Sequence, residues 1–216
     1  MALLIDKSFR PGHSFNGTRQ SDEMIGNGTA TLFGGAGDDN LNPGINHGPA
    51  RISVYGGWAR EDVPHPADGL KVGSQNWWDD GDDVLHFGSH ILAAGGNGEN
   101  RYVWHGPGME AWNRPGEIRG FNVENDTLIV PHDEGFRFGR MWVSSTRDDD
   151  GDKVVTLTKM EVVAMTKVPG TVEAHFILGV QDDGRERDFE PTEIEWSGRS
   201  YRDDVIRWFH AEVDIL

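Results

Sequence analysis

The chain has 216 residues, enough for one domain or two small ones, and its 29 glycines and 10 prolines predict many turns and few long helices. Its 36 acidic residues against 20 basic ones give a formal charge of −16, which argues against nucleic acid and anionic membranes as partners. Cysteine is absent, which excludes disulfides and thiolate metal sites, and no run of 18 apolar residues predicts membrane insertion.

Residues 1–30 are polar and irregular, and we expect them to form a loosely packed lead-in without a signal peptide. From residue 31 to 135 the sequence repeats one theme, a short apolar stretch that runs into glycines and then into acids or amides. The stretches 43–50 and 61–78 lack this periodicity and read as insertions. Short strands separated by tight turns are therefore expected over this segment.

The last segment, residues 136–216, has a different character. Strand-like stretches rich in β-branched residues cover 154–158, 162–165 and 175–180, and an acid-glycine turn at 148–152 punctuates them. Residues 203–212 carry apolar side chains on one broad face. The pattern predicts an antiparallel β unit with a short C-terminal helix.

The sharpest motif is Gly34-Gly35-Ala36-Gly37-Asp38-Asp39-Asn40-Leu41-Asn42, which fits the nonapeptide G-G-x-G-x-D-x-U-x at every specified position. Glycines let such a turn aim consecutive carbonyl oxygens at one point, and the aspartate adds a carboxylate beside them. A turn of this kind offers about half of the six to eight oxygens that calcium takes, so an ion must be shared between neighbouring turns.

Two partial copies follow. Residues 78–86 keep the fourth-position glycine and the sixth-position aspartate, and residues 95–103 keep all three glycines but carry asparagine at the sixth position. The copies start 44 and then 17 residues apart in this reading, neither a clean multiple of nine.

The chain here resembles the RTX (repeats-in-toxin) family, especially the repeat block and cap of serralysin-like secreted proteins. The resemblance covers about residues 30–130 and includes Ile118-Arg119-Gly120-Phe121-Asn122 and Asp126-Thr127-Leu128, although Gly120 stands where the family usually has aspartate. It implies Ca²⁺ as cofactor and type I secretion, for which the ending Val213-Asp214-Ile215-Leu216 is a weak signal. The predicted metal-site residues are Gly34, Gly35, Gly37, Asp39, Asp80, Gly81, Asp83, Gly96, Gly98, Asn100 and Asp126.

Other candidate sites are weaker. The loop at 148–152 resembles an EF-hand start, but its twelfth position falls on Lys159 where glutamate is required, so a hairpin turn is favoured. His86, His90 and His105 are read as chance neighbours rather than metal ligands. Trp77 and Trp78 are candidate ligand-binding residues for a glycan, with the end-capping of a thin stack as the alternative. The sequence shows no His-Glu-x-x-His, nucleophile elbow, P-loop or Rossmann motif.

Together these observations predict an all-β fold, a short parallel β-roll with calcium-binding turns followed by the antiparallel unit. The expected function is a calcium-binding, non-catalytic protein, secreted or exposed at a surface, that contacts glycans, a cell surface or protein partners and folds with calcium. Two alternatives remain open: a structural component of a larger assembly, such as a surface layer or a virion decoration or tail protein, and an enzyme with unrecognised chemistry.

Overall fold

The computed structural model describes residues 1–8, 10, 12–46, 51–57, 81–106, 114–168, 171–180, 192–198 and 200–216. Most of the strands in this part of the chain are only three or four residues long. The elements are β1 (Ala2–Ile5), β2 (Ser14–Asn16), β3 (Asp22–Ile25), β4 (Thr31–Phe33), β5 (Asn40–Asn42), β6 (Ile52–Tyr55), β7 (Val84–Phe87), β8 (Ile91–Ala94), β9 (Arg101–Trp104), β10 (Gly116–Ile118), β11 (Thr127–Ile129), β12 (Phe136–Arg147), β13 (Lys153–Met165), β14 (Val172–Gly179), β15 (Thr192–Ile194), α1 (Tyr201–Glu212) and β16 (Asp214–Ile215).

Successive strands from β1 to β11 alternate between two sheets. The first sheet is wholly parallel and has the strand order β1-β3-β5-β7-β9-β11-β16. The second has the order β12-β13-β14-β10-β8-β6-β4-β2, with β15 paired to β13. In this second sheet β2, β4, β6, β8 and β10 are parallel to one another, whereas β13 is antiparallel to both β12 and β14. From β1 to β11 the chain therefore changes sheet between each strand and the next.

The core fills the space between the two sheets. In the first sheet, each of the five strands β3, β5, β7, β9 and β11 contributes one inward side chain in register with the next, and none of these side chains is exposed to solvent. This row consists of Met24, Leu41, Leu85, Tyr102 and Leu128. Leu41, Leu85 and Tyr102 are the apolar eighth residues of the three glycine-rich repeats. Full burial of each side chain stabilises the fold by roughly 1.5–3 kcal/mol, so the repeat places its apolar position where it contributes most.

The antiparallel strands continue the second sheet. β14 pairs in parallel with β10 through Gly116–Ile118 and antiparallel with β13, so the hairpin of β12 and β13 extends a sheet that begins at β2. Helix α1 packs on this extension because Val205 and Phe209 are fully buried and the Phe209 ring meets those of Phe136 and Phe138 edge-on. After the helix, β16 joins the first sheet beside β11. The α-helix of this described region, 12 residues long, is too short to cross a membrane.

The predicted fold class, an all-β short parallel roll followed by an antiparallel unit, is wrong. The structure has mixed character: a seven-stranded parallel sheet, a nine-stranded mixed sheet and an α-helix of 12 residues. Parallel strands already occur in the polar lead-in, and the antiparallel strands pair directly with the parallel ones rather than forming a separate unit. Strands of three or four residues give too little alternation for the sequence pattern to reveal which sheet they join.

Candidate cation site along a row of turns

At one edge of the fold, the turns that lead from the second sheet into the first place five polar side chains in a line. We call them the Asp/Asn ladder, and each comes two residues before an inward-facing core residue. They are Asp22, Asp39, Asp83, Asn100 and Asp126. None is more than 2% exposed, which is unusual for carboxylates and means that each must be satisfied inside the protein or neutralised.

Backbone hydrogen bonds connect the rungs of the ladder. The amide of Asp22 donates to Asp39 Oδ1 (2.7 Å), and the amide of Asp39 donates to Asp83 Oδ1 (2.8 Å). The amide of Asp83 donates to Asn100 Oδ1 (3.2 Å), and that of Asn100 to Asp126 Oδ1 (2.8 Å). One side-chain oxygen of each of these acceptors is therefore used to fix the next turn in register.

The spacing of the rungs explains the irregular repeat. Neighbouring rungs are 17 residues apart at Asp22–Asp39 and again at Asp83–Asn100, but 44 apart at Asp39–Asp83. The long step contains an interrupted turn, because a Cβ placed on Gly56 would overlap Asp83 Oδ2 and the carbonyl oxygen of Gly95. Gly56 and Asp83 thus belong to one turn, although residues 57–82 separate them in the sequence. In the sequence, the part of this turn that holds Gly56 and the part that holds Asp83 therefore look like two unrelated segments.

The glycines of the motif have distinct physical roles. Gly35 and Gly37 have φ of 112° and 97°, and the equivalent Gly96 and Gly98 have φ of 92° and 95°, a region that other residues rarely adopt. Gly34 is needed for space instead, since a Cβ there would overlap Asp39 Oδ2 and the carbonyl oxygen of Gly56. The second and fourth positions therefore shape the turn, and the first lets two oxygens approach closely.

The second carboxylate oxygen of Asp39 is buried and has no hydrogen-bond partner among the described residues. Asp22 Oδ1, one rung away, is in the same situation. Burial, with a smaller contribution from the neighbouring charges of Asp22 and Asp38, raises the pKa of Asp39 to about 7 against the opposing effect of its backbone hydrogen bond. An oxygen so placed, beside a backbone carbonyl oxygen, requires either a proton or a cation.

Asn100 shows what satisfies this position when the carboxylate is replaced by an amide. Its Nδ2 donates to the carbonyl oxygens of Gly96 (3.3 Å) and Asn97 (3.2 Å) and lies 2.6 Å from the position that a Cβ on Gly95 would take. An amide NH₂ group with partial positive charge therefore faces the turn's own carbonyls. In the turn of Asp39 the side chain offers a second negative oxygen there, which leaves room for a positive group supplied from elsewhere.

Asp126 ends the ladder and is satisfied by the protein itself. Its Oδ1 accepts from the amide of Asn100, and its Oδ2 accepts from the amide of Asn122 (2.8 Å). Burial raises its pKa to about 7 against these hydrogen bonds. Both oxygens are committed, so Asp126 has a structural role in the ladder that does not need an ion.

Most of the predicted site residues in the described part of the chain meet along this row. Gly34, Gly35, Gly37 and Asp39 form one turn, Gly96, Gly98 and Asn100 form another, and Asp83 lies between them with Gly81 packed against the backbone of Asp38. The predicted ligands Asp80, Trp77 and Trp78 lie outside the described residues.

The sequence analysis missed Gly17, Asp22 and Gly56. A Cβ on Gly17 would overlap the carbonyl oxygen of Gly34, and Asp22 Oδ2 lies 2.9 Å from that Cβ position. The signal was present, because Gly17 precedes Asp22 by five residues as Gly34 precedes Asp39, and Met24 supplies the apolar residue. The intervening Thr-Arg-Gln-Ser hides the motif, since it contains no glycine.

In the described ranges, no three side chains of His, Cys, Asp or Glu are grouped to hold a metal ion. Backbone carbonyl oxygens, such as that of Gly56 beside Asp39 Oδ2, are ligands that hard cations such as Ca²⁺ readily take. His86 and His105 meet edge-on with ring centres 5.6 Å apart, and burial together with His105 lowers the pKa of His86.

The acidic loop at 148–152 forms the hairpin turn between β12 and β13, closed by a hydrogen bond from Asp148 N to Asp152 O.

Comparison with protein families, with curated proteins and with solved structures gave no match to this chain. The resemblance to RTX repeats therefore stays a prediction.

Proposed function

We propose that this chain is a calcium-binding protein whose row of turns is completed by Ca²⁺. The observation that carries the proposal is the buried Oδ2 of Asp39, which has no hydrogen-bond partner in the described structure and lies against Gly34 beside the carbonyl oxygen of Gly56. Carboxylate and carbonyl oxygens are the ligands that Ca²⁺ prefers, and the residues present fit that ion. Bound Ca²⁺ would neutralise the carboxylate and hold adjacent turns together.

The chain's charge supports coupling between calcium and folding. Three ladder aspartates, Asp22, Asp39 and Asp83, follow one another along the row, within a protein of net charge −16. Without a counter-ion these buried carboxylates oppose folding through desolvation and mutual repulsion. An ion that binds the folded state and not the unfolded one stabilises it by mass action, by about 2.7 kcal/mol at a hundred times its Kd.

This coupling suits a protein that works where calcium is abundant. Extracellular calcium modules bind with Kd of roughly 10⁻⁴ to 10⁻³ M, far weaker than cytosolic sensors. We therefore propose a secreted or surface-exposed location and a non-catalytic binding role, which remain open to direct test. The glycan contact predicted through Trp77 and Trp78 belongs to the same proposal.

A second candidate, a structural part of a larger assembly, is favoured by the outer face of β1 and β3. Leu3, Ile5 and Ile25 are 58%, 50% and 37% exposed on this face, and their strands lie at one edge of the parallel sheet. Exposed apolar side chains on a sheet edge favour contact with other chains. Light scattering over a concentration series, with and without calcium, separates a monomeric binding protein from an assembly component.

The decisive experiment uses Asp39→Asn, which makes this turn resemble that of Asn100. The amide keeps an oxygen for the backbone amide of Asp22 and replaces the second oxygen with NH₂, so we expect a variant that folds but binds calcium at least tenfold more weakly. Calorimetric titration of CaCl₂ into chelator-treated protein measures the affinity.

Asp149→Asn, an identical change at an exposed residue of the hairpin turn between β12 and β13, is the matched control and should leave calcium affinity within about twofold. Unchanged calcium binding in Asp39→Asn, or no calcium binding by the unaltered chain, would overturn the proposal.

A further inference from the structure

A groove of about 390 Å³ opens between strand β12 and the start of helix α1, away from the row of turns. Its lining combines apolar walls with two cationic side chains. The lining residues are Gly139, Arg140, Met141, Trp142, Val143, Tyr201 and Arg202. Small-molecule sites in proteins have volumes of roughly 300–1,000 Å³ and this mixed lining, so the groove has the size of a site for a small ligand.

Two irregularities in strand pairing bracket this segment of β12. The register with β13 shifts between Phe138 and Met141 and again between Trp142 and Val143. Bulges bend a strand and re-aim its side chains, and they are over-represented beside functional sites. Gly139 fits this arrangement, since a Cβ there would overlap the carboxylate of Glu161 on β13. The backbone is thus shaped where Arg140 and Trp142 reach the groove.

Neither arginine of the groove forms an ion pair within 4.0 Å of a carboxylate in the described part of the chain. Arg202 donates Nη1 to the carbonyl oxygen of Gly139 (2.9 Å) and Nη2 to that of Phe138, so it joins α1 to β12 while keeping its full charge. Glu161 accepts the backbone amide of Arg140 (3.0 Å) and contacts His175 Nε2 (2.7 Å), and this hydrogen bond, His175 and the charge of Arg140 lower the pKa of Glu161. In a protein of net charge −16, the two guanidinium groups give this groove a local positive charge that Glu161 offsets in part.

The apolar walls add a second requirement for the ligand. Met141, Trp142, Val143 and Tyr201 are all half-buried, so each offers apolar surface to the groove. Lys159 lies 5.1 Å from the centre of the Trp142 ring and adds another cation beside this wall. A planar or ring-shaped body that lies along the wall would place an attached anion near the guanidinium of Arg140.

We propose that this groove binds a small carboxylate carried on a six-membered ring. Guanidinium groups pair with carboxylates through two parallel hydrogen bonds, and aromatic and aliphatic walls bind the flat face of a ring. The overall negative charge repels polyanions at long range, so a compact monoanion fits better than a nucleic acid or a polyphosphate. Two sources supply this chemistry, an aromatic acid and a uronic acid, and the site is independent of the calcium proposal.

The test is a titration followed by two-dimensional NMR of the folded chain with four ring-shaped probes, and with inorganic phosphate for comparison. 4-Hydroxybenzoate and galacturonate carry the carboxylate, and 4-hydroxybenzamide and galactose are their neutral partners. We expect one acid to shift the signals of the groove residues with a dissociation constant in the millimolar range or below, and its neutral partner to bind at least tenfold more weakly. The acid that binds identifies the source.

Arg140→Gln is the diagnostic variant, because this side chain is exposed and its removal leaves the bonds of Arg202 intact. It should weaken binding of the acid at least tenfold. Arg137→Gln removes the same charge from an exposed position on the same strand outside the groove, and should change binding less than twofold. Equal binding of acid and neutral partner, equal effects of the two variants, response to inorganic phosphate alone, or no binding of either acid at 10 mM would each overturn the proposal.

Discussion

Replacing Asn100 with aspartate tests the logic of the Asp/Asn ladder from the opposite direction to Asp39→Asn. Asn100 is fully buried, its Oδ1 accepts from the amide of Asp83, and its Nδ2 donates to the carbonyl oxygens of Gly96 and Asn97. Asn100→Asp keeps the first of these hydrogen bonds and loses the other two. It also turns a donor toward two carbonyl oxygens into a negative oxygen that faces them.

The expected cost follows from these contacts. Two neutral hydrogen bonds contribute about 0.5–1.5 kcal/mol each, and a buried acceptor left unsatisfied adds a desolvation penalty. Without calcium, Asn100→Asp should therefore lower the free energy of unfolding by about 2–4 kcal/mol. With calcium, the new carboxylate and the facing carbonyls complete a site like that of Asp39. The loss should then shrink by about 1–2 kcal/mol, because an ion with a Kd of roughly 10⁻⁴ to 10⁻³ M stabilises the folded state by that amount at about 5 mM calcium.

Urea unfolding followed by tryptophan fluorescence, in chelator and in 5 mM calcium, measures both values. Asn125→Asp introduces the same change at an exposed position of the last turn, and should alter stability by no more than about 0.5 kcal/mol in either condition. If Asn100→Asp lowers the free energy of unfolding equally with and without calcium, the amide of Asn100 does not occupy the position of a cation, and the proposed equivalence of the two turns is wrong.

Three further outcomes are expected. Burial raises the pKa of Asp39 and Asp126 to about 7 from 3.8, so the calcium-free protein takes up protons when it folds. Its melting temperature should therefore fall as pH rises from 5 to 8, and Asp39→Asn should make this dependence on pH weaker. A melting temperature that rises with pH would contradict the effect of burial. Gly34→Ala should lower the free energy of unfolding by about 1–3 kcal/mol, because the added Cβ would overlap a backbone carbonyl oxygen as well as the carboxylate of Asp39. A denaturant midpoint no lower than that of the wild type would show that the turn can relax. Leu85→Ala should lower the free energy of unfolding by about 2–5 kcal/mol, and Val84→Ala, on the outward face of the same strand, by less than about 1 kcal/mol. Calorimetric melting measures both, and similar losses would contradict the assignment of the two faces.

Part of the candidate site could be predicted from the sequence because the motif encodes it locally. Gly35, Gly37 and Asp39 lie within five residues of one another, and both the backbone freedom of the glycines and the oxygen of the aspartate follow from residue type. The pairing of Gly56 with Asp83 could not be predicted in this way, because their contact is made across the inserted chain. The role of Asn100 also needed coordinates, since an asparagine can present either an oxygen or an NH₂ group to its turn.

The fold was harder to predict for a related reason. A parallel strand of three residues, such as β4 or β5, carries one or two buried side chains and no turn to its partner in the sheet. The β-branched stretches 154–158 and 162–165 are predicted as strands, but the sequence does not show that they form the single strand β13, that β12 pairs with it, or that β14 pairs with β10. The contacts that join the two parts are distant in sequence, and local patterns carry little information about them.

The long step between Asp39 and Asp83 shows that the row of turns accepts added chain without changing its rungs. The amide-to-carboxylate bond across 44 residues is 2.8 Å long, close to the 2.7 Å of the bond across 17 residues. Loop-closure entropy grows only with the logarithm of loop length, so the energetic penalty of such an insertion is modest. The register of these two turns is thus set by the hydrogen bond between Asp39 and Asp83 rather than by the length of chain that separates them, so stability should depend more on this side-chain bond than on the number of residues between Gly57 and Gly81.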